Sequence, residues 1–465
     1  MRRFRAMGRA AGAGLVGWLA ITTAAATAAD SPRKPNILFI LADDLGYGDT
    51  GPYGQARIRT PNLDRLAREG RRFTQCYAGS TVCAPSRGAL MTGLHSGHGR
   101  VRGNAAVPLR PEDVTVGAVL QRAGYATGIV GKWGLGDAGT TGVPNRQGFA
   151  EWFGFLNQTH AHNYYPEFLW RNEARYPLVG NEGSGGIASK RAQYAPDLFL
   201  RESLAFLDRH KEGAPFFLMV TTTLPHANNE RGKRDGNGME IPSDAPYSAE
   251  PWPPAMRAHA AMITRLDGDV GAILARLAEL GLADSTLVLF SSDNGPHKEG
   301  GADPAFFGSS GPLRGYKRAL YEGGIRVPMI ARWPGHVPAG TTGDAPWAFW
   351  DVLPTLAELA GAPAPAGIDG RSEVAALVGD GPAAPHAPFY WEFHEGGFSQ
   401  AARDGDWKAV RPAPGRPVEV YDLRADPGEA HDVARDHPDV ADRLARLLDS
   451  SRTESPDFPV RAARP

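Results

Sequence analysis

The run Asn36 to Ala42, NILFILA, is apolar at every position after the first and leads straight into Asp43 and Asp44. A strand without polar alternation must be covered on both faces, which is the condition of a strand inside a parallel sheet. Similar runs recur at Tyr125 to Val130, ending at Gly131-Lys132, at Pro215 to Thr221 and at Thr286 to Phe290, which leads to Asp293-Asn294. Another lies at Val327 to Ala331. Helical patterns separate them. Thr60 is expected to cap a helix with Pro61 at its first position, Leu63 and Leu66 on one face and Gly70 after its end. Further helices are expected at Val114 to Ala123, Ala195 to His210 and Ala255 to Leu280. This alternation predicts an α/β fold, a large mixed but mostly parallel sheet sandwiched by helices. In such sheets ligands sit outside the carboxyl ends of the strands. Asp43, Lys132, His226 and Asp293 all lie just past such ends, so residues far apart in sequence are expected to converge.

Between Gly379 and Pro388 the composition turns to Gly, Pro and Ala, as in a linker. Short strand-like pieces follow at Phe389 to Phe393, Gln400 to Ala402, Trp407 to Val410 and Val418 to Leu423. They suggest a small antiparallel sheet closed by a helix around Val440 to Leu448. A chain of 465 residues accommodates this plan of one large domain with a smaller one attached. The expected division is a signal peptide over 1–29, a catalytic domain over 30–380 and a C-terminal α+β subdomain over 381–465. The first segment has a basic start (Arg2, Arg3, Arg5, Arg9), a short apolar stretch from Ala10 to Ala20, and Ala26-Thr27-Ala28 as a cleavage site. That stretch is too short for a stable membrane span, and export to the periplasm or the extracellular space is expected.

Lys and Arg number 50 against 51 Asp and Glu, which gives no reason to expect a nucleic-acid partner. An anionic ligand would have to be held by a local positive site. The two cysteines, Cys76 and Cys83, could form one disulfide in an exported protein, unless Cys83 has chemistry of its own.

Asp43-Asp44 and Asp293-Asn294 offer four oxygen ligands without histidine or cysteine, a hard donor set suited to calcium or magnesium. Three carboxylates brought together would repel one another without a cation. Singly, each pair is an ordinary turn or helix cap; two pairs at matching strand ends favour a metal.

The stretch Cys83-Ala84-Pro85-Ser86-Arg87, followed by Thr92-Gly93, resembles the signature of the type I sulfatases of the alkaline phosphatase superfamily. The resemblance runs from NILFILADDLGYGD to VYDLRADPGEAHDVA, nearly the whole chain after the first segment. It implies that a maturation enzyme oxidises Cys83 to formylglycine (3-oxoalanine), whose hydrate is the nucleophile. One oxygen of that geminal diol attacks sulfur and the second lets sulfate be expelled; a serine would leave a stable sulfate ester. The resemblance further implies that Asp43, Asp44, Asp293 and Asn294, with the modified Cys83, hold calcium, and that Arg87 secures the metal-side carboxylates. Lys132 and Lys317 would contact the sulfate, and His226 would bind it and protonate the leaving oxygen, a role suited to an imidazole. One departure stands out: where the family has Gly-Lys-Trp-His-x-Gly, this chain has Gly131-Lys132-Trp133-Gly134-Leu135-Gly136. His95, His160 and His162 are candidates for the absent histidine's work.

The segment Asn157 to Asn172 is crowded with aromatic, histidine and amide side chains, which suits a sugar ring. His160 and His162 are therefore candidate substrate contacts, and Arg102, Asn104 and His394 join them because Arg102-Gly103-Asn104 and Trp391-Glu392-Phe393-His394-Glu395 resemble stretches of bacterial carbohydrate sulfatases. A sulfated saccharide is the expected substrate, with aryl sulfates also accepted. The rivals are a phosphate or phosphonate ester hydrolase of the same superfamily, and a non-catalytic glycan-binding relative.

Overall fold

In the computed structural model, residues 7–8, 34–379 and 385–460 are described. The expected signal peptide, apart from residues 7–8, and the middle of the expected linker lie outside them.

Strand Asn36–Ala42 occupies the centre of an eleven-stranded sheet. It pairs in parallel with Thr286–Ser292 on one side and Phe216–Thr221 on the other; Ala126–Lys132 and then Glu151–Phe155 continue the parallel set. Both faces are covered, and the reason is visible along this one strand. Ile37, Phe39 and Leu41 pack towards helices Cys83–Thr92, Val116–Arg122 and Val352–Leu359. Leu38, Ile40 and Ala42 pack towards Pro61–Glu69, Ala195–Arg209 and Pro254–Glu279. Successive side chains of a strand point to opposite faces, so an unbroken apolar run feeds two cores at once.

The sheet departs from simple alternation at its edges. Arg326–Arg332 runs antiparallel to Thr286–Ser292 and is followed by Arg71–Tyr77, a strand the sequence pattern did not suggest. On the opposite edge, Phe168–Arg171 and Ala174–Pro177 form an antiparallel extension. Thr60 stands at the N-cap position of its helix, yet its hydroxyl does not cap it. Thr60 Oγ1 instead accepts a hydrogen bond from the Gly51 amide at 2.8 Å.

Near the C-terminus, Phe389–Phe393, Ser399–Asp404, Trp407–Arg411 and Glu419–Asp422 form a four-stranded antiparallel sheet. Helix Pro438–Ser450 covers one side of it through Val440, Leu444 and Leu448. Its other side packs Phe389, Trp391 and Val410 against Tyr77, Val82 and Ala89. Trp391 Nε1 also donates to the Ala78 carbonyl at 2.9 Å. The small sheet therefore rests directly on the start of the helix that carries Cys83. From Lys34 onward the chain forms one compact unit.

Candidate active site

Parallel strands that end side by side deliver their next residues to one place. Asp43 and Asp44 follow Ala42, Asp293 and Asn294 follow Ser292, Lys132 ends its own strand, and His226 lies five residues beyond Thr221. Cys83 opens a helix whose every residue is buried. Arg87 stands one turn further on the same helix face. Lys317 arrives on the loop before Glu322–Ile325.

These side chains meet. Cys83 Sγ donates to Asp43 Oδ1 at 3.4 Å, and Lys132 Nζ donates to Asp43 Oδ2 at 2.7 Å. Arg87 grips Asp293 Oδ2 through Nε and Nη2 at 3.0 and 2.8 Å, and its Nη1 donates to the Lys132 carbonyl. Lys317 Nζ donates to Asp44 Oδ2 at 2.8 Å and to His226 Nε2 at 3.2 Å. Asn294 Nδ2 donates to Asp44 Oδ1 at 2.7 Å. One donor atom from each of Asp43, Asp44, Cys83 and His226 lies within 4.8 Å of the others.

Electrostatics agree with a site built around positive charge. Burial drives Asp293 upward, and the nearby Asp43 carboxylate adds to the effect, so that Asp293 rises to about 7 despite Arg87 and Lys132. Asp44 is equally buried, but Lys317, His297 and Lys132 hold it at about 2. The Cys83 thiol is pushed well above its ordinary value, chiefly by burial. Burial, reinforced by Lys317, Lys132 and His162, keeps His226 neutral by lowering it well below the usual imidazole range. Its tautomer follows from its partners: Nδ1 faces the Ala227 carbonyl at 2.6 Å and carries the proton, so Nε2 accepts from Lys317.

The donor chemistry can be tested against a hard cation. Asn294 Oδ1 is fully buried and has no hydrogen-bond partner among the described residues. A buried carbonyl oxygen without a partner is costly, and a hard cation would satisfy it. Together with the carboxylates of Asp43, Asp44 and Asp293, it makes an all-oxygen set that fits calcium or magnesium.

The remaining candidates are spread more widely. His162 stacks on His226 with ring centroids 5.0 Å apart, and its Nδ1 pairs with Glu230 at 3.0 Å. His160 packs its ring against Phe155 and Phe168. His95 lies past the far end of the Cys83–Thr92 helix, stacked on His98 and facing Asp369. Asn104 Oδ1 accepts from the amide of Ala84, beside the nucleophile position. Arg102 is bound by Glu392 and Thr453, and His394 also pairs with Glu392. Both cysteines are free, so Cys83 is not tied up in a disulfide.

Sequence reasoning passed over Glu299, which pairs with Lys317 at 3.4 Å, and His297, which faces His226. Both follow Asp293-Asn294 in the same loop, so their place after a strand end was the available signal. In the sequence Tyr164 is one aromatic residue among several in Asn157 to Asn172. Its hydroxyl braces the His226 loop through the Thr223 and His226 carbonyls, each at 2.6 Å.

Comparison with known proteins supplies the context. The family model "Sulfatase" matches residues 35–362, and "N-sulphoglucosamine sulphohydrolase, C-terminal" matches residues 315–454. The chain is 32% identical to human arylsulfatase A, over 93% of this chain and 92% of that protein. It is 30% identical to N-acetylgalactosamine-6-O-sulfatase of Bacteroides thetaiotaomicron, over 90% of this chain and 94% of that one. Among solved structures, Ps i-CgsB in complex with k-i-k-neocarrahexaose has a TM-score of 0.79 at 29% identity, covering 92% and 95% of the two chains. The chain belongs to the sulfatase family and is a sulfatase of alkaline phosphatase-like fold.

Proposed function

We propose that the protein is an exported hydrolase that removes sulfate from a sulfated saccharide, using formylglycine made from Cys83 beside a bound calcium ion. The observation that carries this reading is the meeting of Cys83 with Asp43, Asp44 and His226 within 4.8 Å, flanked by Lys132, Arg87 and Lys317. Three cations around a buried cysteine suit an anion that is attacked there. When present, the aldehyde hydrate would supply the attacking oxygen and the calcium ion would stabilise it and polarise the sulfate.

The chain's own residues do the rest. Lys132 and Lys317 place ammonium groups where sulfate oxygens gain charge. Arg87 keeps Asp293 in place through two hydrogen bonds to one carboxylate oxygen. His226, with its Nδ1 proton held on the Ala227 carbonyl, turns Nε2 toward the Lys317 ammonium, and it protonates the leaving alcohol oxygen only after Nε2 has taken a proton from that ammonium. Water and the ester yield the alcohol and inorganic sulfate.

The saccharide preference draws on relatives named for N-acetylgalactosamine sulfate and on the structural neighbour bound to a neocarrahexaose. Aryl sulfates are expected to be accepted as well, in line with human arylsulfatase A. Export rests on the basic and apolar opening segment ahead of Asp30. Because Cys83 is 2% exposed, its conversion by a maturation enzyme is expected before the chain has folded.

The test combines mass spectrometry of the peptide containing Cys83 with a screen of sulfated sugars and aryl esters. The expected result is an aldehyde at position 83 and sulfate esters turned over in preference to phosphate or phosphonate esters. Cys83→Ala should lower turnover by roughly 10⁴-fold or more while the fold is retained. Undiminished hydrolysis by Cys83→Ala would place the nucleophile elsewhere.

A further inference from the structure

Gly134 lies two residues past the strand Ala126–Lys132, with φ at 86°. A side chain has no room there. A Cβ added to Gly134 would stand 2.3 Å from Gln158 Nε2, and the next residue it would meet is Arg87, whose Cδ is at 3.9 Å. Gln158 begins the short helix Gln158–Ala161. Its Nε2 is shielded from solvent and has no hydrogen-bond partner among the described residues. A buried amide nitrogen is seldom left without an acceptor, and this one rests above a glycine that leaves it the space.

Its surroundings indicate which acceptor is absent. Arg87 stands one helical turn beyond Cys83 on the same face, and the space over Gly134 is bordered by both the Gln158 amide and the Arg87 side chain. The charged groups gathered nearby, Arg87, Lys132 and Lys317, are donors already directed at carboxylates. A donor beside Arg87 with no acceptor among the described residues is free for an oxygen that the ligand brings.

We infer that the Gln158 carboxamide donates a hydrogen bond to an oxygen of the sulfate group bound at Cys83, and that position 134 is glycine so that this amide can reach it. The inference rests on the sulfate-binding function proposed above and assigns a further binding residue to that site. A carboxamide contributes a hydrogen bond without taking up a proton, so the contact does not vary across the range in which an imidazole titrates.

The experiment measures binding of sodium sulfate by titration calorimetry, in the presence of calcium, to the full chain carrying Cys83→Ala. Gln158→Met keeps the volume over Gly134 and removes the donor. Gly134→Ala keeps the donor and drives it out of place. Each change should weaken sulfate binding about tenfold or more, and Gln158→Met should leave the melting temperature close to that of its parent. Sulfate affinity within about twofold of the parent in Gln158→Met would overturn the inference, because packing alone would then explain the amide. Parent-like affinity in Gly134→Ala would overturn the pairing of the two residues. If the parent itself binds no sulfate, the proposed function falls and the inference with it. A parent that binds, beside a Gln158→Met variant that binds equally, removes only the inference.

Discussion

Asp43, Asp44, Asp293 and Asn294 show how single residues acquire meaning from what surrounds them. Each aspartate pair alone reads as a turn or cap, yet all four side chains are fully buried at one point. Charge balance then governs the site: Lys132 answers Asp43, Lys317 answers Asp44, and Arg87 answers Asp293. Only Asn294 Oδ1 is left over, and it belongs to the residue type that a hard cation coordinates. Chelating divalent cations should therefore lower the melting temperature and adding calcium should restore it. At a free ion concentration one hundred times the dissociation constant the stabilisation is ~2.7 kcal/mol. Asn294→Ala should shrink the calcium-dependent rise in a thermal melt; a melt indifferent to both chelator and calcium would show that these oxygens hold no ion. These residues were legible in the sequence because they directly follow apolar runs. His297 and Glu299 were not, since a histidine and a glutamate in a loop have no local pattern that distinguishes them from solvated side chains.

Elements carry the next level of argument. The runs at Asn36, Phe216 and Thr286 were legible as strands because each has an unbroken apolar stretch (Ile37 to Ala42, Phe216 to Val220, Leu287 to Phe290), the mark of a strand covered on both sides. Arg71–Tyr77 escaped notice because Arg71, Arg72, Thr74 and Gln75 interrupt the pattern, and its pairing partners come from Arg326–Arg332 and from Thr341–Gly343, far along the chain. Within the parallel set, Gly131 is a tight point. Its φ of 119° suits glycine, and a Cβ there would lie 2.0 Å from the Thr221 carbonyl oxygen of the adjacent strand. Gly131→Ala should cost ~2–4 kcal/mol through backbone strain and overpacking. A denaturation midpoint checks this, and an unchanged midpoint would mean that the two strands separate at little cost. Because Lys132 follows directly, the same change should also reduce turnover.

At the scale of the whole molecule, the small sheet is joined to the large one by buried charge as well as by apolar contact. Lys408, on Trp407–Arg411, is fully buried and bridges Glu322 Oε1 at 2.9 Å and Glu429 Oε1 at 2.8 Å. Lys408→Met would remove the cation that Glu322 and Glu429 share, leaving Arg326 at 3.2 Å from Glu322 Oε2, and should cost ~3–5 kcal/mol, read as a lower denaturation midpoint. A change below ~1 kcal/mol would mean that the carboxylates simply protonate. A second link joins Arg102, His394 and Arg452 at Glu392. Burial opposes the Glu392 charge, but His394, Arg102 and Arg452 bring it down to about 2. The folded form therefore binds fewer protons than the unfolded one, so this contribution is complete above pH ~4.5 and fades as pH falls toward about 2. Its size is roughly 3 kcal/mol. Between pH 5 and pH 3 the melting temperature should fall less in Glu392→Gln than in the unaltered chain; equal slopes would count against the link.

What the sequence determined by itself is the central apolar strands, the residues at their ends and the short string around Cys83. Those features are local: an apolar run, a helix start or a five-residue signature is specified by neighbours along the chain. The tertiary structure decided the rest. It turned Arg326–Arg332 antiparallel, set the small sheet against the Cys83 helix, matched each site carboxylate with a cation, and brought Gln158 over Gly134. Those outcomes depend on contacts between segments tens to hundreds of residues apart, where packing and desolvation choose the partner and no local pattern records the choice.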